Sequence, residues 1–113
     1  CFFNFLASHD GIGVRPVVDI LNENELTILI KTAEVNGGKV SYKSNPNGTK
    51  TPYEINCNYL SLLRGEENNL ELGIKRTILA HAVLLAMPGL PAIYFQSIFG
   101  SENDIEGMKT SGI

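Results

Sequence analysis

The sequence predicts an α/β chain organised as a parallel β-α-β unit with an elaborated first connection. Two short stretches, Phe2–Ser8 and Ala92–Phe95, are apolar almost without a break, as strands covered on both faces are. Between them, apolar residues recur at helical spacing over two segments. The resulting order of strand, helical excursion, long helix and strand is that of a crossover in a parallel sheet.

Each element has its own signals. The first strand runs into His9 and Asp10 and is then broken by Gly11 and Gly13, with a loop to Pro16. Asn22 can cap the next helix, with Glu25 three residues on in capping-box spacing. Leu26, Leu29, Ile30 and Ala33 give that helix one apolar stripe, and Gly37 and Gly38 stop it. Residues 39–65 read as a small excursion, a hairpin followed by a short helix. Lys39–Lys43 alternates as a strand does, and Asn45-Pro46-Asn47-Gly48 forms the turn. The returning arm carries Pro52, which predicts a short, edge-like or irregular strand. The short helix is closed by Gly65. The longest helix runs from Asn68 to Met87, with Leu70, Ile74, Ile78, Ala82 and Leu85 on one face. Its far end is apolar nearly all round and is expected to pack deep, and Pro88 and Gly89 end it. Residues 100–113 read as a polar loop.

Composition narrows the function classes. The chain has 113 residues, 43% of them hydrophobic, which is a globular composition and not a disordered one. A net charge of −3 and a pI near 5.3 argue against nucleic acid or an anionic membrane surface as the main partner. Two cysteines, Cys1 and Cys57, are too few for a secreted disulfide scaffold and fit a reducing cytoplasm. The apolar stretch Thr77–Pro91 is short for a membrane span and is interrupted by His81. The chain opens at Cys1, with Phe2 already in a strand-like run, and closes without a helix or strand stop signal. It is therefore expected to be a piece of a larger protein.

A parallel sheet carries its chemistry at the carboxyl ends of its strands, where His9 and Asp10 stand. Taken alone, the dipeptide is also what an ordinary polar strand end looks like. Gly11-Ile12-Gly13 is not a dinucleotide fingerprint, because Pro16 occupies the place of its third glycine. His81 reads as a structural histidine and Cys57 as a small buried side chain. Glu66–Glu71 reads as the solvated start of the long helix, favourable to its dipole. No cysteine or histidine pair has ligand spacing, so no metal site is expected.

In combination these segments are more specific. The stretch "FNFLASHDGIGVRP" resembles the fourth signature region of the α-amylase family of glycoside hydrolases, at the end of barrel strand seven. "LPAIYFQSIFGSEND" resembles the strand-eight region of the same family. The similarity is greatest to the sucrose phosphorylases and their relatives, including glucosylglycerate phosphorylases. "PYEIN", Pro52 to Asn56, matches a small excursion that those enzymes carry between the two regions.

The resemblance implies a fragment of a (β/α)8 barrel, residues 1–113, holding strands seven and eight. It implies that Asp10 stabilises an oxocarbenium-like transition state and grips the innermost sugar, and that His9 hydrogen-bonds the same sugar. Tyr53 and Glu54 match a mobile acceptor-site loop. Sucrose phosphorylases usually have glutamine at the position of Glu54, so the departure points away from sucrose and towards the glucosylglycerate-type relatives. The implied parent enzyme transfers an α-glucosyl unit to phosphate through a covalent glucosyl-enzyme. The alternatives are an α-glucoside hydrolase of the same family and a non-catalytic sugar-binding module. Retaining transfer needs a carboxylate nucleophile and a carboxylic acid about 5 Å apart, and a third carboxylate favours the developing positive charge. Asp10 is matched to the third. The first two are expected outside this chain, since a full barrel takes about 250 residues. The partners implied are an α-glucoside and phosphate, with no cofactor. A cut barrel exposes its sheet edges, so the isolated chain is expected to self-associate through Phe2, Phe3, Phe5 or the strand at Ile93 and Tyr94.

Overall fold

The computed structural model describes residues 2–111, and Cys1, Gly112 and Ile113 lie outside them. In chain order the elements are β1 (Phe3–Asn4), β2 (Ile12–Gly13), a 3-10 turn (Arg15–Val17), α1 (Glu23–Val35), β3 (Lys39–Ser44), β4 (Lys50–Asn56), α2 (Tyr59–Leu63), α3 (Leu70–Ala86), β5 (Leu90–Pro91), α4 (Phe95–Ile98) and α5 (Ile105–Ser111).

The parallel crossover is present, with shorter strands than the apolar runs predict. β1 pairs in parallel with β5, Phe3 beside Leu90 and Asn4 beside Pro91. The Leu90 N–H donates to the Phe2 carbonyl at 2.7 Å, and the Ala92 N–H to that of Asn4 at 2.7 Å. Gly89 turns α3 into β5 at a φ of +127°, where a Cβ would stand 2.7 Å from the Phe2 carbonyl oxygen. The strand expected at Ala92–Phe95 lies instead at Leu90–Pro91, and Phe95 already begins α4.

Burial corrects the expectation of doubly covered strands. Phe2, Phe3 and Phe5 are 75%, 63% and 55% exposed. Two paired residues per strand cannot cover a face, and β1 has β5 as its strand neighbour. The predicted stripe of α3 is also exposed at Leu70, Ile74, Ile78 and Leu85, so its far end does not pack deep. The buried residues of α3 are Gly73 and Leu84. His81, on the same helix, donates from Nδ1 to the Thr77 carbonyl at 2.7 Å and meets the Tyr59 ring edge-on, a structural arrangement as expected. Glu71 stands in the first turn of α3, whereas Glu66 and Glu67 precede the helix. Among the described residues, no helix is long and apolar enough to cross a membrane.

The core sits between α1 and the antiparallel sheet of the excursion. β2, β4 and β3 form an antiparallel sheet in that order. Val14, Ala33, Ile55, Cys57 and Leu62 are buried together, with Ile12, Leu26, Leu29 and Val40 packed around them. The stripe of α1 therefore faces the sheet, as its periodicity predicts. Its capping box is complete: the Asn22 Oδ1 accepts from the Glu25 N–H at 2.9 Å, and the Glu25 carboxylate accepts from the Asn22 N–H at 2.8 Å.

The sheet bears out the irregular strand expected at Pro52 and sets aside the short and the edge-like alternatives. β4 is the middle strand and not an edge. Proline is tolerated there because the register slips beside it: Ser41 faces Glu54, but Tyr42 faces Pro52, which leaves Tyr53 as the extra residue of a bulge. The Tyr53 carbonyl accepts instead from the Val14 N–H at 3.0 Å. Residues 105–111, expected within a loop, are helical, and Asp104 caps them by accepting from the Gly107 N–H at 2.9 Å.

Gly11 and Gly13 serve different ends. At Gly11 φ is +135°, and a Cβ would lie 2.3 Å from the Ile55 carbonyl oxygen. At Gly13 a Cβ would meet nothing within 4 Å. Gly11→Ala is expected to destabilise the fold by more than about 1 kcal/mol, and Gly13→Ala by no more than about 0.5 kcal/mol. Urea unfolding of the two variants checks the contrast, and equal losses would show that the approach to Ile55 is not what fixes the turn.

Candidate active site

The chain after β1 tightens into a turn. The Ser8 N–H donates to the Gly11 carbonyl at 3.0 Å, and the Ser8 hydroxyl accepts from the Asp10 N–H at 3.3 Å. This turn lifts two adjacent polar side chains into solvent. The His9 Nε2 lies 3.1 Å from the Asp10 Oδ1, with the side chains 78% and 63% exposed. At such exposure the contact orients the pair and adds little stability. Asn56, at the end of β4, donates from Nδ2 to the Asp10 carbonyl at 2.7 Å and to the Glu54 carboxylate at 3.2 Å. Its Oδ1 accepts from the Ser41 hydroxyl at 2.8 Å.

His9 and Asp10 open onto a cleft of about 500 Å³, walled also by Lys39, Asn56, Tyr94 and Asn103. Its floor is held by Asn103. The Asn103 Oδ1 accepts from the Asn58 N–H at 2.7 Å, and its Nδ2 donates to the Asn36 carbonyl at 2.8 Å and to the Cys57 Sγ at 3.2 Å. One side chain thus joins the end of α1, the start of α2 and the segment leading to α5.

The four residues singled out from the sequence do not share one place. His9 and Asp10 are together. Glu54 reaches them through Asn56. Tyr53 lines a separate cleft with Arg15 and Lys43. Tyr53 and Glu54 lie in strand β4, not in a loop. Sequence reasoning passed over Asn56, Asn103 and Lys39 as site residues. The available signal was the run of asparagines directly before helices, Asn56 and Asn58 before α2 and Asn103 before α5.

Burial raises the Cys57 thiol above its ordinary value, and the Asn103 hydrogen bond offsets part of that. Burial likewise raises Tyr59. A raised acid stays protonated in the fold while the unfolded chain ionises first. Stability supplied by Cys57 is thus whole below the ordinary 9.0 and is lost as pH rises through the folded value. Cys57→Ser is expected to flatten the fall in stability just above that pH, leaving the Tyr59 contribution higher up. Urea midpoints across the alkaline range read the slope, and an unchanged slope would remove Cys57 from it.

The comparisons with known proteins agree on one lineage. No family model matches the chain. A glucosylglycerate phosphorylase of Escherichia coli (strain K12) is 50% identical over 111 residues, which is 98% of this chain and 20% of that protein. A glucosylglycerate phosphorylase of Spirochaeta thermophila is 42% identical over 112 residues, 99% of this chain and 19% of that protein. The crystal structure of a sucrose 6F-phosphate phosphorylase from Thermoanaerobacter thermosaccharolyticum superposes with a TM-score of 0.79 at 23% identity, over 98% of this chain and 22% of that one. The chain therefore spans about a fifth of the length of the relatives it matches. Over essentially its whole length, it is a homologue of the glucosylglycerate and sucrose-type glycoside phosphorylases, with the mixed α/β fold of the corresponding part of such an enzyme.

Proposed function

We propose that the chain is the part of an α-amylase-type (β/α)8 barrel that holds strands seven and eight, from an enzyme that phosphorolyses an α-glucoside. The observation that carries this reading is the 50% identity to a glucosylglycerate phosphorylase over nearly the whole chain, with His9 and Asp10 paired in the turn that follows the parallel strand β1. In the mechanism, a carboxylate nucleophile from elsewhere in the barrel takes the glucosyl unit as a covalent glucosyl-enzyme, a carboxylic acid protonates the leaving oxygen, and phosphate then displaces the enzyme. The Asp10 carboxylate faces the developing positive charge at the anomeric carbon. His9 holds a hydroxyl of the same sugar, and Tyr53 and Glu54 shape the acceptor side. The reaction is assigned to the cytoplasm on the cysteine usage of the chain, two residues that suit a reducing compartment. The exposed apolar face of β1 and α3 is the seam against the rest of the barrel. In the isolated chain that face drives self-association, which light scattering reads directly.

The test uses the whole protein that carries this chain. Asp10→Asn is expected to lower turnover at least about 10²-fold with the fold intact. Near-normal turnover in a well-folded variant would remove Asp10 from the reacting set. Assayed with phosphate against a panel of α-glucosides, the enzyme is expected to favour a glucoside of glycerate or glycerol over sucrose, because Glu54 stands where glutamine is usual. Sucrose emerging as the best substrate would overturn that assignment.

A further inference from the structure

The hairpin of β3 and β4 closes on Asn45-Pro46-Asn47-Gly48, and this turn holds one of the two Asn-Gly pairs of the chain. The other is Asn36-Gly37, at the end of α1. In such a pair the side-chain amide meets the next backbone nitrogen with least hindrance, because glycine has no Cβ to fend off the approach. In both pairs the glycine N–H is donated within its own turn, Gly48 to the Asn45 carbonyl at 3.0 Å and Gly37 to that of Glu34 at 3.0 Å. The asparagine side chains differ. The Asn47 Oδ1 accepts twice, from the Thr49 N–H at 3.1 Å and from the Thr49 hydroxyl at 2.6 Å. That hydroxyl accepts in turn from the Asn45 Nδ2 at 3.0 Å, which leaves its own proton aimed at Asn47. Asn47 is exposed. Asn36 is half-buried, and its Nδ2 donates to the carbonyls of Thr32 at 2.9 Å and Gly65 at 2.8 Å. Ile105 packs over Gly37.

We propose that Asn47 is a site of spontaneous deamidation and that Thr49 promotes it. The Gly48 nitrogen, freed when the exposed turn bond opens, gives its proton to water or hydroxide and attacks the Asn47 Cγ. Two donors already face the oxygen on which negative charge then develops, as in an oxyanion hole. The bond from Cγ to Nδ2 breaks, the nitrogen takes a proton from solvent and leaves as ammonia, and a succinimide ring closes. Water then opens either carbonyl of the ring and leaves aspartate or isoaspartate. The sum is amide plus water to acid plus ammonia. At Asn36 the same step is held back, because closing the ring would break both bonds that tie its Nδ2 to carbonyls. Isoaspartate puts one more carbon into the main chain. That lengthens the turn, unseats Asn45 from Thr49 and shifts the wall that Asn45 gives to the cleft of Arg15 and Lys43. The step needs no turnover and does not depend on the catalytic reading above.

The experiment incubates the whole protein that carries this chain at neutral pH and weighs its proteolytic peptides at intervals. The Asn47 peptide is expected to gain the mass of an amide-to-acid exchange and to split into aspartate and isoaspartate forms. It is expected to do so at least about tenfold faster than the Asn36 peptide. Thr49→Val is expected to slow the exchange about threefold or more, whereas Thr49→Ser, which keeps the hydroxyl, retains the rate. Thr49 is exposed, and thermal melts establish that both variants are folded. In concentrated urea, where the sequence acts without the fold, the two peptides are expected to convert at similar rates and Thr49→Val to lose its effect. Asn47 converting no faster than Asn36 in the folded protein would overturn the proposal. So would Thr49→Val converting as fast as the unsubstituted protein, or a contrast between the two peptides that persists undiminished in urea.

Discussion

The close approach of the Gly11 backbone to the Ile55 carbonyl is the constraint on which the rest of the arrangement depends. It lets β2 lie against β4, and that makes β4 the middle strand of the sheet. With β4 in the middle, Ile55 is enclosed with Val14 and Ala33, and the core closes. The same approach brings Asn56 under Asp10, so that a side chain of the sheet holds the backbone of the polar turn. Packing and site are thereby tied through one point of contact, where the absence of a Cβ matters more than any side chain nearby.

Asn103 does comparable service on the other side of the cleft. Its amide satisfies a carbonyl at the end of α1 and an amide N–H at the start of α2, both groups that a helix terminus leaves without an internal partner. The segment after α4 is short of apolar contacts, and these bonds hold it to the excursion. The thiol of Cys57 lies under the same amide. Polar satisfaction and burial are shared there among three segments distant in sequence.

Much of this was legible in the sequence, and for local reasons. α1 is written in its capping box and its stripe, both of which are satisfied within a dozen residues. The crossover is written in the two apolar runs, although β1 stops at Asn4 and His9–Asp10, expected at a strand end, stand in the turn that follows it. What escaped depends on distant partners. Pro52 signals an edge or an irregular strand, and the choice between them depends on a two-residue strand from the other side of α1 that pairs with Glu54 and Ile55. α5 escaped because Gly107 and its polar neighbours resemble a loop until Asp104 is seen capping them. The exposure of β1 and of the α3 stripe escaped because hydrophobicity states only what can be buried, and burial needs something to cover it. The separation of Tyr53 from Glu54 follows from the alternation of a strand, and it escaped because the resemblance put both in a loop.

That bulge makes the composition of the two clefts a question of counting. At the slip beside Pro52, β4 has one residue more than β3, so that Pro52 keeps the side of Tyr42 and Glu54 the side of Ser41 with Tyr53 in excess between them. A lineage that lost Tyr53 would restore the regular ladder with Pro52 and Glu54 on the sides they already hold, and would remove only one wall from the cleft of Arg15 and Lys43. A residue gained or lost in a regular part of the strand would instead carry every position beyond it to the opposite side. An alignment of relatives that gaps freely between Lys50 and Asn56 would equate residues that stand in different surroundings.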